Sequence, residues 1–237
     1  MKYIWASGSH VGRVRSGNED SVFPRRSGST DGSLLVAVAD GMGGHVAGEV
    51  ASRVAIDAAT EASEAEAADR VTAANEAVSD KAAADPQLHG MGTTMSLADL
   101  SAGGHVRIGH VGDSRIYLLR DGALSQVTTD HTFVAALLES GQITADEVDT
   151  HPKRHYVTRA LGLDRSVEVD EQTLQLEPGD RLMLCSDGLT EMVSDTDISE
   201  VLSRADAPEP AVWSLIEMAN KAGGVDNISV IVVDYLE

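Results

Sequence analysis

The run Ser33-Leu34-Leu35-Val36-Ala37-Val38-Ala39 ends at Asp40-Gly41. Its apolar residues are consecutive rather than alternating, which suits a strand buried on both faces and followed by a turn. Arg181-Leu182-Met183-Leu184-Cys185-Ser186 repeats the pattern and ends at Asp187-Gly188. Such runs belong to a sheet covered on both sides, and each leaves a carboxylate at the sheet's rim.

Around these runs the pattern alternates between helical and extended. Residues 2–6 are β-prone and short. Val50, Val54 and Ala58 recur every four residues and share one face of a helix predicted over 47–63. A second helix is predicted over 65–84, with Val71, Ala74 and Val78 on one side, and Asp85-Pro86 stops it. A β meander follows over 93–100, 105–111 and 114–120, and Asp121-Gly122 turns the chain toward 124–128. Residues 132–140 read as a helix closing at Gly141, and 144–148 as a further helical turn capped by Thr144 and Glu147. Strands are predicted over 167–176, 181–186 and 228–235, and a helix over 211–221, just after Pro210. Hairpin-linked strands with helices in separated pairs indicate an α+β layered domain rather than a parallel sheet.

Eighteen basic against 38 acidic side chains give a formal charge of −20 in 237 residues. That excess repels a phosphate backbone and an anionic membrane surface, so nucleic acid and membrane are not expected partners. Most of the surplus keeps a surface soluble, but hard divalent cations also prefer carboxylate oxygens. Cys185 is the single cysteine, so no intrachain disulfide can form, which suits a reducing compartment. The opening stretch lacks the apolar core of a signal peptide, and no apolar run reaches the roughly 20 residues that cross a bilayer. A cytoplasmic monomer is expected, one domain over 1–237 without a membrane-spanning or sensor extension.

Asp-Gly occurs at Asp31, Asp40, Asp121 and Asp187. A turn suits Asp31 and Asp121. At Asp40 and Asp187, spacing alone does not choose between a turn and a metal ligand, although the following glycine lets a carbonyl approach the same ion. Further acids stand at Glu19 and Asp20 after Arg15, at Asp113 in a predicted hairpin corner, and at Asp226 in the loop before the last strand.

In chain order the segments read RSGNED, VADGMGGHVAGEVAS, MGTTM, HVGDSR, HPKRHYVTRALG, LCSDGLTE and GGVDNISVIVV. This order and spacing closely resembles the bacterial branch of the metal-dependent protein phosphatases, the PPM or type 2C family, over about residues 12–233. The resemblance implies a central β-sandwich of two antiparallel sheets flanked by helical layers, with a dinuclear site at one end. It implies that Asp40 bridges two Mg²⁺ or Mn²⁺ ions and that Gly41 offers its carbonyl. Asp187 and Asp226 would complete the direct ligands. Glu19 and Asp20 would act through bound waters, and Asp113 would hold a third, weaker ion shared with Asp187. The implied reaction is hydrolysis of phosphoserine and phosphothreonine in proteins by a metal-bridging hydroxide. Arg15 would grip the phosphate, for which its planar fork is suited. Phosphoproteins, a cognate Ser/Thr kinase among them, are the implied partners.

Two positions depart from that pattern. Met42 stands where animal members carry a histidine after Asp-Gly, so no side-chain general acid is assigned, with His45 the nearby candidate. In the segment 130–154, which resembles the family's flap, the residue after His-Pro-Lys-Arg is His155 instead of a small polar residue. Imidazole suits Mn²⁺ better than Mg²⁺, which bears on the third ion. Three other readings are a catalytically silent phosphoprotein-binding module on the same fold, an acidic metal-buffering protein, and a phosphatase of small phosphoesters.

Overall fold

A computed structural model describes residues 1–44, 46–62, 65–148 and 150–237. Its strands are β1 (Lys2–His10), β2 (Asp20–Phe23), β3 (Gly28–Thr30), β4 (Leu34–Met42), β5 (Gly92–Thr93), β6 (Met95–Leu100), β7 (His105–Val111), β8 (Arg115–Arg120), β9 (Ala123–Gln126), β10 (Asp170–Gln175), β11 (Arg181–Cys185) and β12 (Ile228–Leu236). Its helices are α1 (Val46–Glu61), α2 (Ala67–Ala84), α3 (Phe133–Glu139), α4 (Ala145–Val148), α5 (Asp187–Thr190), α6 (Asp195–Arg204) and α7 (Pro208–Lys221).

The described strands form two sheets, ordered β3-β1-β12-β11-β8-β9 and β10-β7-β6-β4-β2, with β5 pairing to the end of β4. All their pairings are antiparallel. The unbroken apolar runs explain the layering. On β4, Val36 and Val38 face the other sheet and pack with Leu182, Leu184, Ile231 and Val233. Ala37 and Ala39 face outward, against Ala51, Ala55 and Ala59 of α1. On β11, Met183 and Cys185 pack outward with Val212 and Leu215 of α7. Each central strand is thus buried on both faces, and the result is the expected α+β sandwich with helices outside both sheets.

Several local expectations change. β1 continues to His10 because Ser7, Gly8 and Ser9 keep full register against Val230–Ile231 and Ser229; pairing overrides the weak propensity of these small residues. β4 runs through Asp40-Gly41 without a turn, since Gly41 pairs with Thr93 of β5. The predicted meander breaks after β7: β8 pairs with β11 of the other sheet, so Gly112-Asp113-Ser114 is a crossover between sheets, not a hairpin corner. On α1 the fully buried face is Ala51, Ala55 and Ala59, while Val50 and Val54 are only partly buried. Small residues facing Ala37 and Ala39 let helix and sheet approach closely, which valines would prevent. The expected end of this helix at Ser63 lies outside the described residues.

α7 begins at Pro208 rather than after Pro210, and α6 was not expected. Its signal was present: Ser194 caps Asp197, and Ile198 and Leu202, four apart, are buried. The cap at 144–147 falls as expected, with Glu147 accepting from Thr144 N and Oγ1, and Thr132, read only as the start of a helix, caps α3 through Oγ1, which accepts from Ala135 N. Among the described residues no helix is long and apolar enough to cross a membrane.

Candidate active site

The sheet ends at Asp40, the crossover at Asp113, the corner at Asp187 and the loop before β12 meet at one end of the sandwich. They line a cleft of about 1020 Å³ that also carries Arg15, Glu19, Gly41, Glu191 and Asp226. Asp40 is held by the backbone around it. Its N–H donates to Thr94 Oγ1 at 3.0 Å, and its carbonyl accepts from Thr93 Oγ1 at 2.8 Å and Thr94 N at 2.9 Å. Asp20 sits directly across the strand pair from Asp40. Ser186 Oγ donates to Asp20 Oδ2 at 2.8 Å instead of capping α5. Asp187 begins α5, where the chain leaves β11.

Asn227 stitches the N-terminal loop to the loop before β12. It accepts from Glu19 N at 2.7 Å and donates to the carbonyls of Val11 and Gly17, both at 2.9 Å. Two glycines make room for the rest. A Cβ at Gly48 would lie 2.1 Å from Glu19 Oε2 and 2.9 Å from Gly41 O, so only glycine lets α1 pass that carboxylate and that carbonyl. A Cβ at Gly188 would lie 2.0 Å from Asn227 O, so the Asp187 corner and the Asp226 loop touch through backbone.

The carboxylates are crowded and short of compensating charge. Burial pushes Asp20 and Asp113 up to about 6, with Asp226 and Asp130 adding repulsion respectively. Asp40 is raised well above the ordinary carboxylate range, first by desolvation and then by Asp20, Asp187 and Asp113. Asp187 is raised by desolvation and then by Asp113 and Glu191. Asp20 Oδ1 and Asp187 Oδ1 are buried without any hydrogen-bond partner. Orphaned carboxylate oxygens in a site of unbalanced negative charge fit a hard divalent cation, whose ligands are oxygens. As the side chains lie, no three acidic or histidine groups among the described residues converge on one ion, and Asp226 is engaged by Arg15 at 2.6 Å.

All the acids singled out in the sequence therefore come to one end of the fold, including Asp113, which the crossover places there. Ser186, Thr94, Asn227 and Glu191 are additions. Glu191 was legible as the residue four after Asp187 on a helical turn, and the other three only through their partners. His155 hydrogen-bonds Glu191 at the cleft wall, turning its Nδ1 toward a carboxylate. His45 lies outside the described residues. Cys185 is fully buried and its thiol is pushed up to about 12 by burial, which makes it a packing residue rather than a reactive one.

A family model described as protein phosphatase 2C matches residues 8–208. The serine/threonine protein phosphatase PstP of Mycobacterium tuberculosis is 43% identical over 98% of this chain, which spans 45% of that relative's length. The serine/threonine phosphatase stp of Listeria monocytogenes is 39% identical, over 94% of this chain and 92% of its own. Among solved structures, the catalytic domain of PstP in complex with two manganese ions superposes with a TM-score of 0.87 at 40% identity, each chain being covered in full. Fold, cleft and likeness agree, and the chain belongs to the protein phosphatase 2C family.

Proposed function

We propose that this chain hydrolyses phosphoserine and phosphothreonine in proteins, using two divalent cations held by the acids of the cleft. The observation that carries the reading is the pair of orphaned oxygens, Asp187 Oδ1 in the cleft that also holds Asp40, Asp113 and Asp226, and Asp20 Oδ1 on the strand paired with Asp40. The names of the relatives and the two manganese ions in the PstP catalytic domain support it. Asp40, the Gly41 carbonyl, Asp187 and Asp226 would be direct ligands. Glu19 and Asp20 would act from behind, and Asp113 would serve a third, weaker site.

Bound Mg²⁺ or Mn²⁺ supplies Lewis acidity and a water of lowered pKa. The chain's own residues do the rest. Arg15, half exposed at the rim, meets the substrate phosphate and offsets charge on its oxygens. Thr93 and Thr94 hold the Asp40 backbone in place, so its carboxylate projects into the cleft from a fixed point of the sheet. Residues 1–237 would act as one catalytic domain with 130–155 as its flap. Such a domain would work as a cytoplasmic monomer on phosphoproteins, a cognate kinase among them. The silent binding module is not favoured, because each acid of the family pattern is present.

Phosphate release from a phosphothreonine peptide with Mn²⁺, with Mg²⁺ and with excess EDTA tests the reading. Release that needs metal and disappears in Asp40→Asn is the expected result. A folded protein that releases none with either metal overturns it.

A further inference from the structure

We infer that His131 is a positioning residue that fixes Asp113 and ties it to both roots of the flap; the inference rests on reading Asp113 as a metal ligand. Asp113 lies in the crossover between β7 and β8, where no sheet partner holds the backbone. Gly112 takes φ +110°, and a Cβ there would lie 2.5 Å from Thr94 Cβ, so the chain passes tightly behind Asp40's support. The crossover is held instead from 130–131. His131 N donates to Gly112 O at 2.8 Å, and Gly112 N donates to His131 Nδ1 at 3.0 Å. On the other side of Asp113, Arg115 donates to both carboxylate oxygens of Asp130, with Nε to Oδ1 at 2.9 Å and Nη2 to Oδ2 at 2.7 Å. Consecutive residues thus grip positions 112 and 115, with Asp113 between them.

The opposite edge of the ring faces the flap's exit. Because Nδ1 accepts from Gly112, the proton of the neutral ring sits on Nε2, 3.2 Å from Asp170 Oδ2. Arg159 Nη1 closes the group: its two hydrogens go to Asp170 Oδ1 at 2.5 Å and Glu168 O at 3.2 Å, so its 3.0 Å approach to His131 Nε2 is a contact that leaves the ring proton directed at Asp170, and Thr158 N donates to His131 O at 2.8 Å. One buried ring therefore joins the flap's entry, its exit and the Asp113 crossover. Orientation of a ligand through such an outer hydrogen bond is a familiar way of tuning a metal site.

The two nitrogens can be separated by substitution. In His131→Asn the side-chain carbonyl reaches about where Nδ1 does and keeps an acceptor for Gly112 N. In His131→Gln the amide reaches about where Nε2 does and keeps only the flap side. Calorimetric Mn²⁺ titration of the full chain, with melting temperature as the folding control, is expected to leave His131→Asn close to wild type. The same titration should weaken the most weakly bound ion of His131→Gln by about 10- to 100-fold, the usual range for an outer-sphere partner. Asp113→Asn should remove that same ion. Should His131→Gln not fold, Asp130→Asn, which loosens the other grip, should show the same selective weakening. Equal behaviour of the Asn and Gln variants, whether both intact or both impaired, overturns the inference, as does an unchanged Asp130→Asn. Ion binding is read here without turnover, so a chain that binds Mn²⁺ yet hydrolyses no phosphopeptide sinks the proposed function and not the clamp.

Discussion

Arg15 Nη2 donates to Asp226 Oδ2 at 2.6 Å, joining residues 211 positions apart across the mouth of the cleft. The guanidinium that would meet the substrate phosphate therefore also competes for a proposed metal ligand. Arg15→Ala is expected to act in two directions. It should lower kcat/KM on a phosphothreonine peptide by about 10- to 100-fold, corresponding to roughly 1.5–3 kcal/mol for charged hydrogen bonds. It should also tighten Mn²⁺ binding, because Asp226 is released. Steady-state kinetics with calorimetry on the same preparation checks both, and an unchanged kcat/KM would remove Arg15 from the site.

Asp40→Asn and Asp187→Asn are expected to bring phosphate release to background while the fold survives. Both carboxylates are raised well above their ordinary range, chiefly by desolvation, so as charged groups they oppose folding of the metal-free chain. Neutral amides remove that opposition. In EDTA at pH 8 the urea midpoint of each variant should equal or exceed that of wild type. With excess Mn²⁺ the order should reverse, because only wild type gains binding free energy in full. Turnover like wild type in either variant would falsify the site assignment.

Acid should destabilise the fold through His110. Burial, and then His131, push its imidazole from 6.5 down to about 4. Between those values the unfolded chain takes up a proton that the folded chain refuses. The stability contributed by the neutral ring is complete above pH 6.5 and is lost as pH falls through that window, by roughly 3 kcal/mol at its lower end. Urea midpoints at pH 7 and 4.5 should fall further in wild type than in His110→Gln. Parallel losses would show that the ring does not carry the acid sensitivity.

Gly188→Ala should cost stability and metal affinity together. The added methyl would lie 2.0 Å from Asn227 O, a backbone atom that cannot swing aside. Overpacking of this kind costs about 1–3 kcal/mol. Each kcal/mol lowers the melting temperature of a chain this size by roughly 2–4 °C. Because the displaced atoms connect the Asp187 corner to the Asp226 loop, Mn²⁺ affinity should fall as well. A melting temperature and affinity equal to wild type would mean that this backbone contact is not needed.

Legibility in the sequence followed a physical divide. The runs at 34–39 and 181–185 announced strands buried on both faces, because two-sided burial leaves no polar position to alternate. The cap at Thr144 and Glu147 was readable because a cap is satisfied within a few residues of itself. The small residues of β1 were not readable as strand, since Ser7, Gly8 and Ser9 have little propensity and become extended only by pairing with β12. On α1, periodicity chose the valine stripe, whereas the sheet accepted the alanine stripe: Ala37 and Ala39 leave a shallow surface that only small residues fit closely.

The site divides in the same way. The sequence by itself determined which residues could carry the chemistry. Carboxylates after buried strands, an arginine near the start and glycines where backbone must pass closely are properties of residue type and order. Tertiary structure alone decided that Asp20 lies opposite Asp40, that Arg15 reaches Asp226, that β7 crosses to the other sheet at Asp113, and that His131 holds that crossover. Each of these depends on the distance between segments remote in the chain. Sheet pairing and core packing set that distance, and no local preference encodes it.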